Sequence, residues 1–265
     1  MSSLLTMVTF DTPDNGRSPM TKATLQTLRE TVDFTGHTLM VSDNGSCQET
    51  HSLYKEYADI ISHVEYNGEN IGTANALNRL WQFKQPRHKC VVKIDNDVEI
   101  HMAGWVDLME RVFERMPKVG ICGLKRKDLE EWPDNPSPWW KSKLLAVPHK
   151  RGEPWLILEE VNHVMGTCQA YRGSLVGEEG RFGFLFQPGP YGLDDAFAAV
   201  RMKKLGYTNV FLHTAVPIDH IDPGGTEFTQ WKQDEAGKWI NTGIYQQYVE
   251  QFKSGERPVY YDGGF

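Results

Sequence analysis

The sequence predicts an α/β fold in which helices flank one central sheet, organised as a single domain with an irregular insertion. Short β-rich segments alternate with helical patterns through the first 124 residues, which is typical of a sheet wound with crossover helices. The alternation stops over residues 125–154 and returns after them. Hydrophobic residues make up 40% of the chain and charged residues 24%, close to the averages of globular proteins.

The first 124 residues predict five strands and four helices in alternating order. The last of these helices has the clearest pattern, because its apolar residues recur every three or four positions and form one stripe. That stripe consists of Trp105, Leu108, Met109, Val112, Phe113 and Met116. The strands are expected at residues 4–10, 38–42, 60–65, 90–94 and 119–124, and the helices at 21–32, 52–57, 73–83 and 102–116.

The second half of the chain is less regular. Residues 125–154 contain five prolines and three tryptophans and are expected to form a long loop or insertion. Strands are predicted near 155–160, 161–171 and 209–212, a glycine-rich segment over 173–192, and helices over 194–205 and 242–252. Asp222-Pro223-Gly224-Gly225 breaks the chain, so residues 222–265 are expected to form a C-terminal tail.

The composition excludes several classes of protein. A net charge of −7 argues against bulk, sequence-independent binding of nucleic acid. No apolar run approaches the roughly 20 residues of a membrane-spanning helix, and the first residues lack the basic start of a signal peptide. The four cysteines, Cys47, Cys90, Cys122 and Cys168, form no CxxC pair. They are expected to be reduced thiols, which indicates a cytoplasmic protein. No membrane anchor is expected, because the chain has neither a spanning apolar run nor an obvious basic amphipathic helix.

Two carboxylates follow the strand predicted at residues 90–94. Asp95 and Asp97 flank Asn96 directly after this apolar run. Ligands of open α/β sheets collect at the carboxyl ends of strands, where two acids would hold a divalent cation against a phosphate. The alternative interpretation is an ordinary turn, because Asp and Asn favour turns.

Two further segments carry acids at element boundaries. Asp194 and Asp195 open the helix predicted at 194–205, where they would serve catalysis or only complement the helix dipole as cap and first-turn acids. Val41-Ser42-Asp43-Asn44-Gly45-Ser46 is a strand followed by a turn.

In order and spacing, these segments resemble the GT-A glycosyltransferases, specifically glycosyltransferase family 2, over about residues 4–220. The matching segments are Thr9-Phe10-Asp11, the segment around Asp43, residues 67–78, Asp95-Asn96-Asp97 and Val164-Met165-Gly166-Thr167-Cys168. The resemblance implies a GT-A (Rossmann-like) fold with a mixed sheet. It implies donor contacts by Thr9, Asp11, Asp43 (with uracil), Asn70, Gly72, Asn78, Asp95, Asn96 and Gly166.

The same resemblance implies the catalytic and metal-binding residues. Asp195 precedes Arg201 by six positions, as the family's catalytic acid precedes its arginine. Asp97 would hold Mn²⁺ or Mg²⁺ together with His220, with His213 as the competing candidate. Two positions depart from the family pattern: Leu77 occupies the place of an arginine beside the pyrophosphate, which Arg79 would have to replace, and Asp194 stands where glutamate is usual.

The implied reaction is inverting transfer of a sugar from a nucleoside-diphosphate sugar, with a UDP-sugar favoured, to an acceptor hydroxyl. Asp195 would be the general base. Residues 1–124 would bind the donor and residues 155–221 the acceptor. One rival is a sugar-nucleotide nucleotidyltransferase, disfavoured because no basic, glycine-rich phosphate loop follows the first strand. Another is a non-catalytic nucleotide-sugar-binding module, disfavoured by the intact acid pairs.

The irregular insertion has a charge opposite to that of the whole chain. Between residues 118 and 151 there are eight basic and four acidic residues, a balance of +4, with Trp132, Trp139 and Trp140 among them. This pattern suits contact with an acceptor, either a saccharide or a nucleic acid such as modified DNA. The alternative is a solvated loop whose tryptophans are buried against the core.

Overall fold

The computed structural model describes residues 2–129, 143–153, 155–213 and 218–264. The strands are β1 (Leu4–Thr9), β2 (Thr38–Asp43), β3 (Ile61–Tyr66), β4 (Cys90–Ile94), β5 (Val98–Glu99), β6 (Val119–Gly123), β7 (Lys143–Ala146), β8 (Ile157–Val161), β9 (Cys168–Arg172), β10 (Thr208–Leu212) and β11 (Asp219–His220). The helices are α1 (Ser18–Thr31), α2 (Gln48–Glu56), α3 (Thr73–Trp81), α4 (Trp105–Arg115), α5 (Asp194–Lys204), α6 (Glu227–Asn241) and α7 (Ile244–Ser254).

In the described part of the chain, nine strands form one mixed sheet in the order β3-β2-β1-β4-β9-β6-β10-β8-β7. β1 pairs in parallel with β2 and β4, and β3 extends this parallel half. The strand order reverses between β1 and β4, and β9 lies antiparallel between β4 and β6. Ligands bind where strand order reverses in open α/β sheets, so this arrangement places the end of β4 at the expected site.

Helices cover both faces of the sheet, and in the described part of the chain two large apolar cores lie against it, with a smaller third one between α5 and α7. α1, α2 and α4 contribute to one core, in which Trp105 and Met109 of the predicted stripe are fully buried. α3 and α5 contribute to the other, around Trp81 and Met202. β4 and β6 are buried along their whole length, because a sheet covered on both faces needs continuous apolar strands. The predicted α/β fold with a mixed central sheet is confirmed.

The structure corrects several predicted boundaries. β7 lies inside the segment predicted to be irregular, and the strand predicted over 161–171 is interrupted, with β8 ending at Val161 and β9 beginning at Cys168. α1 begins at Ser18, three residues early, because Pro19 is favourable in the first helical turn. Residues 130–142, which include the three tryptophans of the insertion, lie outside the described residues.

Helix α6 was missed by the sequence analysis. None of its residues is fully buried, so it lacks the apolar stripe that marks a helix packed on a core. Thr226 caps it by accepting a hydrogen bond from the Thr229 backbone N–H at 3.1 Å. Among the described residues, no helix is long and apolar enough to cross a bilayer.

Candidate active site

A cavity of about 350 Å³ opens at the carboxyl ends of β1 and β4, between the beginnings of α5 and α6. Its volume lies in the range of small-molecule sites. Eight of the residues singled out from the sequence line it together. They are Asn70, Asp95, Asn96, Asp97, Gly166, Asp194, Asp195 and His220. Segments that are up to 150 positions apart in the sequence therefore meet in one pocket.

Five predicted donor-binding residues do not line this cavity. Asp11 is fully buried and accepts hydrogen bonds from Thr21, Thr50 and Asn96. Asn78 is equally buried and bonds to both the N–H and the carbonyl of Leu185. Both side chains join neighbouring segments behind the cavity wall, so their donor contacts remain predictions.

The other three are Asp43 at the end of β2, Thr9 at the end of β1 and Gly72 directly before α3. Asp43 accepts hydrogen bonds from the backbone N–H groups of Gly45 and Ser46, both at 2.8 Å, and from the Tyr54 hydroxyl. Thr9 contacts the same hydroxyl at 2.6 Å. Gly72 has a φ of +85°, and a Cβ there would lie 2.9 Å from the Pro190 carbonyl oxygen. Glycine is therefore required for this close approach.

Asp97, His220 and Asp222 form a cluster whose ligand atoms lie within 4.8 Å of one another. The pairing of β5 with β11 produces it, because His220 stands opposite Val98, the neighbour of Asp97. His220 Nε2 lies 3.5 Å from Asp97 Oδ2. Asp222 was missed in the sequence, although it follows His220 by only two positions. His213 lies outside the cavity, with Nδ1 3.8 Å from Glu159, which favours His220 as the ligand.

Two cations already pair with this cluster. Arg17 donates to Asp97 at 2.5 Å and to Asp222 at 3.0 Å, and Lys232 donates to Asp222 at 2.7 Å. Burial raises the pKa of Asp97, but the hydrogen bond with His220 and the charge of Arg17 outweigh it and hold that pKa below its usual range. The carboxylate is therefore ionised at neutral pH.

The cluster has the donor set of a divalent-cation site. Asp97 Oδ1 is buried with no hydrogen-bond partner in the described structure, and such orphaned atoms are rare without a ligand. Two carboxylates and an imidazole suit Mn²⁺ and, with fewer protein ligands, Mg²⁺. The residues present therefore fit a metal ion, which would compete with Arg17 and Lys232 for the carboxylate oxygens.

The two acids at the start of α5 differ in their surroundings. The Asp194 side chain is 7% exposed and pairs with the buried Lys93 ammonium at 2.7 Å. The Asp195 side chain is 21% exposed. Neither residue is the N-cap, which is Leu193, the one described non-glycine residue with a positive φ. Such strain is characteristic of functional sites.

Three contacts hold the Asp195 carboxylate. Its Oδ2 accepts from the Gly166 N–H at 2.8 Å and lies 3.1 Å from His163 Nε2, while Oδ1 accepts from the Ala196 N–H. A Cβ at Gly166 would lie 2.6 Å from Lys93 Nζ and 3.3 Å from Asp195 Oδ2. Glycine therefore allows the β8–β9 connection to approach both charged groups.

Arg79 and Arg201 lie away from the cavity wall. Arg201 is fully buried and donates to the carbonyls of Phe182, Phe184 and Val259, so it joins α5 to neighbouring loops. Arg79 donates to Asn67 at 2.8 Å and is 44% exposed.

Aromatic side chains of α6 and of the segment before α5 form one wall of the cavity, called the α6 wall. Phe228 and Trp231 stack with ring centroids 5.5 Å apart, and Tyr191 contacts Trp231 at 5.7 Å. All three rings line the cavity. The basic residues at the start of the insertion are paired with acids: Lys125 with Glu159, Arg126 with Asp128 and Lys127 with Asp219.

No protein-family model and no curated protein sequence matches the chain. Solved structures do resemble it. The mannosyltransferase PcManGT from Pyrobaculum calidifontis, in complex with GDP-Man and Mn²⁺, is 17% identical with a TM-score of 0.58, over 86% of this chain and 59% of that one. TarS 1–349 from S. aureus is 14% identical with a TM-score of 0.59, over 95% of this chain and 74% of that one.

GalNAc-T7 with UDP, GalNAc and Mn²⁺ is 11% identical with a TM-score of 0.58, over 95% of this chain and 58% of that one. The chain thus spans less than two thirds of the length of two of these three proteins. At such low identity the likeness concerns the fold and not the activity. The mixed sheet, its strand order and these structures together show that the chain has the GT-A fold.

Proposed function

We propose that this protein transfers a sugar, with inversion, from a nucleoside-diphosphate sugar to an acceptor hydroxyl. A UDP-sugar is the favoured donor, because of the sequence pattern around Asp43. The observation that carries the proposal is that one cavity is lined both by Asp97 and His220, two members of the candidate metal-binding cluster, and by the partly exposed Asp195. The cluster would hold a divalent cation that neutralises a leaving diphosphate, and Asp195 can accept a proton.

In the proposed mechanism, Asp195 takes the proton of the acceptor hydroxyl as its oxygen attacks the anomeric carbon. The Gly166 N–H and His163 orient the carboxylate for this transfer. Asp97, His220 and Asp222 would hold a Mn²⁺ or Mg²⁺ ion, which when bound neutralises charge on the diphosphate. Arg17 and Lys232 add positive charge at the same end of the cavity, where the leaving group develops negative charge.

A donor screen with mass detection tests the reaction class. The protein is incubated with common UDP-, GDP- and dTDP-sugars and Mn²⁺, and we expect release of a nucleoside diphosphate from one of them. A nucleotidyltransferase would instead form a nucleoside triphosphate and a sugar phosphate from the donor and pyrophosphate. A binding module would retain the donor without turnover, and either result would contradict the proposal.

We further propose that the acceptor is a saccharide that stacks on the α6 wall. Sugars bury their apolar faces on aromatic rings, and Trp231 and Tyr191 offer such rings close to the opening of α5. The pairing of Lys125, Arg126 and Lys127 with acids leaves less uncompensated charge for a polyanion. Modified DNA is therefore the second candidate.

Trp231→Ala is expected to raise the acceptor KM roughly fivefold, because loss of one stacking contact costs about 1 kcal/mol. Initial rates at varied acceptor and saturating donor measure it. Trp155→Ala is the matched control, since Trp155 is 65% exposed and lies outside the cavity. Equal acceptor KM values in the two variants would contradict saccharide stacking. A KM that rises only when Lys125, Arg126 and Lys127 are neutralised would identify a nucleic-acid acceptor.

A further inference from the structure

His163 lies behind the proposed catalytic carboxylate. Its side chain is 18% exposed and does not line the cavity, whereas Asp195, 3.1 Å away, does. His163 belongs to the same β8–β9 connection as Gly166, so one short segment supplies two of the three groups that hold Asp195. The imidazole is therefore placed to act on the reaction only through Asp195.

Among the described residues, the charged groups that act on His163 come from two elements. Asp195 and Asp194 face it from α5, and Lys93 faces it from β4. Lys203, also on α5, bonds instead to the neighbouring Asn162. The positive charge of Lys93 is largely compensated by its own ion pair with Asp194 at 2.7 Å. Of these groups, the Asp195 carboxylate is thus the main charged partner of the imidazole.

This environment stabilises the charged form of both partners. Burial lowers the pKa of His163, but the charge of Asp195 and its hydrogen bond outweigh this and raise that pKa above 6.5. Burial raises the pKa of Asp195, and His163 and Lys93 outweigh it, so that pKa lies below its usual range. A carboxylate beside an imidazolium is a weak proton acceptor, and it becomes a stronger one when the imidazole is neutral.

We infer that His163 is a positioning residue that orients the Asp195 carboxylate and, by losing its own proton, makes Asp195 a stronger base. The inference rests on the proposed function, which assigns Asp195 as the base. It predicts opposite effects of rising pH on turnover and on the stability of the fold. Turnover rises with pH as the imidazolium deprotonates. The stabilisation of the fold by the ion pair is present below the unfolded-state pKa of His163 and is lost as pH rises through the folded-state pKa.

The test compares kcat from about pH 5.5 to pH 9 in the wild type and in two variants. The wild-type rate should fall about tenfold per pH unit below the His163 pKa. His163→Gln cannot titrate but can still donate to Asp195, so its rate should stay level across this range. His163→Ala loses the donor and should have a kcat at least about tenfold lower, which Gln largely restores, while the donor KM is unchanged in both variants.

His63→Gln is the matched control, because His63 also lies 3.3 Å from a carboxylate, that of Glu65, but neither residue lines the cavity. It should keep the wild-type pH profile. A His163→Gln profile that retains the wild-type fall at low pH overturns the inference while leaving sugar transfer intact.

Thermal unfolding against pH supplies a readout that needs no turnover. The Tm advantage of the wild type over His163→Gln should shrink as pH rises through the His163 pKa. If no donor is turned over, the proposed function fails, and this measurement still decides whether the pair titrates. A Tm difference that is independent of pH overturns the inference on its own.

Discussion

Asp195→Asn is expected to lower kcat by at least about 10²-fold, while the fold and the donor affinity are retained. Loss of general-base catalysis typically has an effect of this size. Asn keeps the shape of the side chain and can still accept from the Gly166 N–H. If Asp195 only supported the start of α5 as a first-turn acid, the same change would cost about 1 kcal/mol of stability or less and leave turnover near normal. Steady-state kinetics at saturating acceptor, with donor binding measured separately, distinguish these outcomes.

Asp194→Asn is the internal control, and the two changes should separate turnover from stability. Asp194 pairs with Lys93, whose side chain is 5% exposed. Asp194→Asn removes the negative charge that pairs with this buried ammonium and should lower the free energy of unfolding by about 3–5 kcal/mol. Measured well below the melting temperature, its kcat should fall less than that of Asp195→Asn. The reverse order would move the base to Asp194, and near-normal kcat in both variants would contradict the inverting mechanism.

Asp97→Asn is expected to abolish Mn²⁺-dependent turnover. The change replaces one oxygen of the candidate metal ligand by an amide nitrogen, which does not bind a hard cation. The fold should survive, because Arg17 keeps its ion pair with Asp222 at 3.0 Å. We expect Mn²⁺ to raise the Tm of the wild type and to have little effect on the variant. A Mn²⁺ titration followed by both turnover and thermal unfolding measures the two effects.

Glu99→Gln is the matched control for this change. Glu99, His101 and Asp219 also bring two carboxylates and an imidazole together, but none of them lines the cavity. The Glu99 variant should keep the Mn²⁺ dependence of the wild type. Full activity of Asp97→Asn, or undiminished wild-type activity in excess EDTA, would rule out the role assigned to Asp97.

The sequence by itself determined the elements whose signal is local. The apolar runs of β4 and β6 and the apolar stripe of α4 are recognisable because one strand or helix must bury a continuous face. The acids at the end of β4 and at the start of α5 were found in the same way, since their position at the end of an element is visible in the chain. These features predicted the fold class and four acids that line the cavity. The other four predicted residues that line it, Asn70, Asn96, Gly166 and His220, came from the resemblance to a known family.

Only the tertiary structure decided which charged groups meet. Arg17 lies 80 positions from Asp97, and His163 lies 32 positions from Asp195. A pair of this kind has no periodicity and needs no motif, because its attraction depends on distance and burial rather than on spacing along the chain. Helix α6 was missed for a related reason. Its Phe228 and Trp231 contact the cavity and not the core, so no apolar stripe marked it, and its place was decided by packing against distant residues.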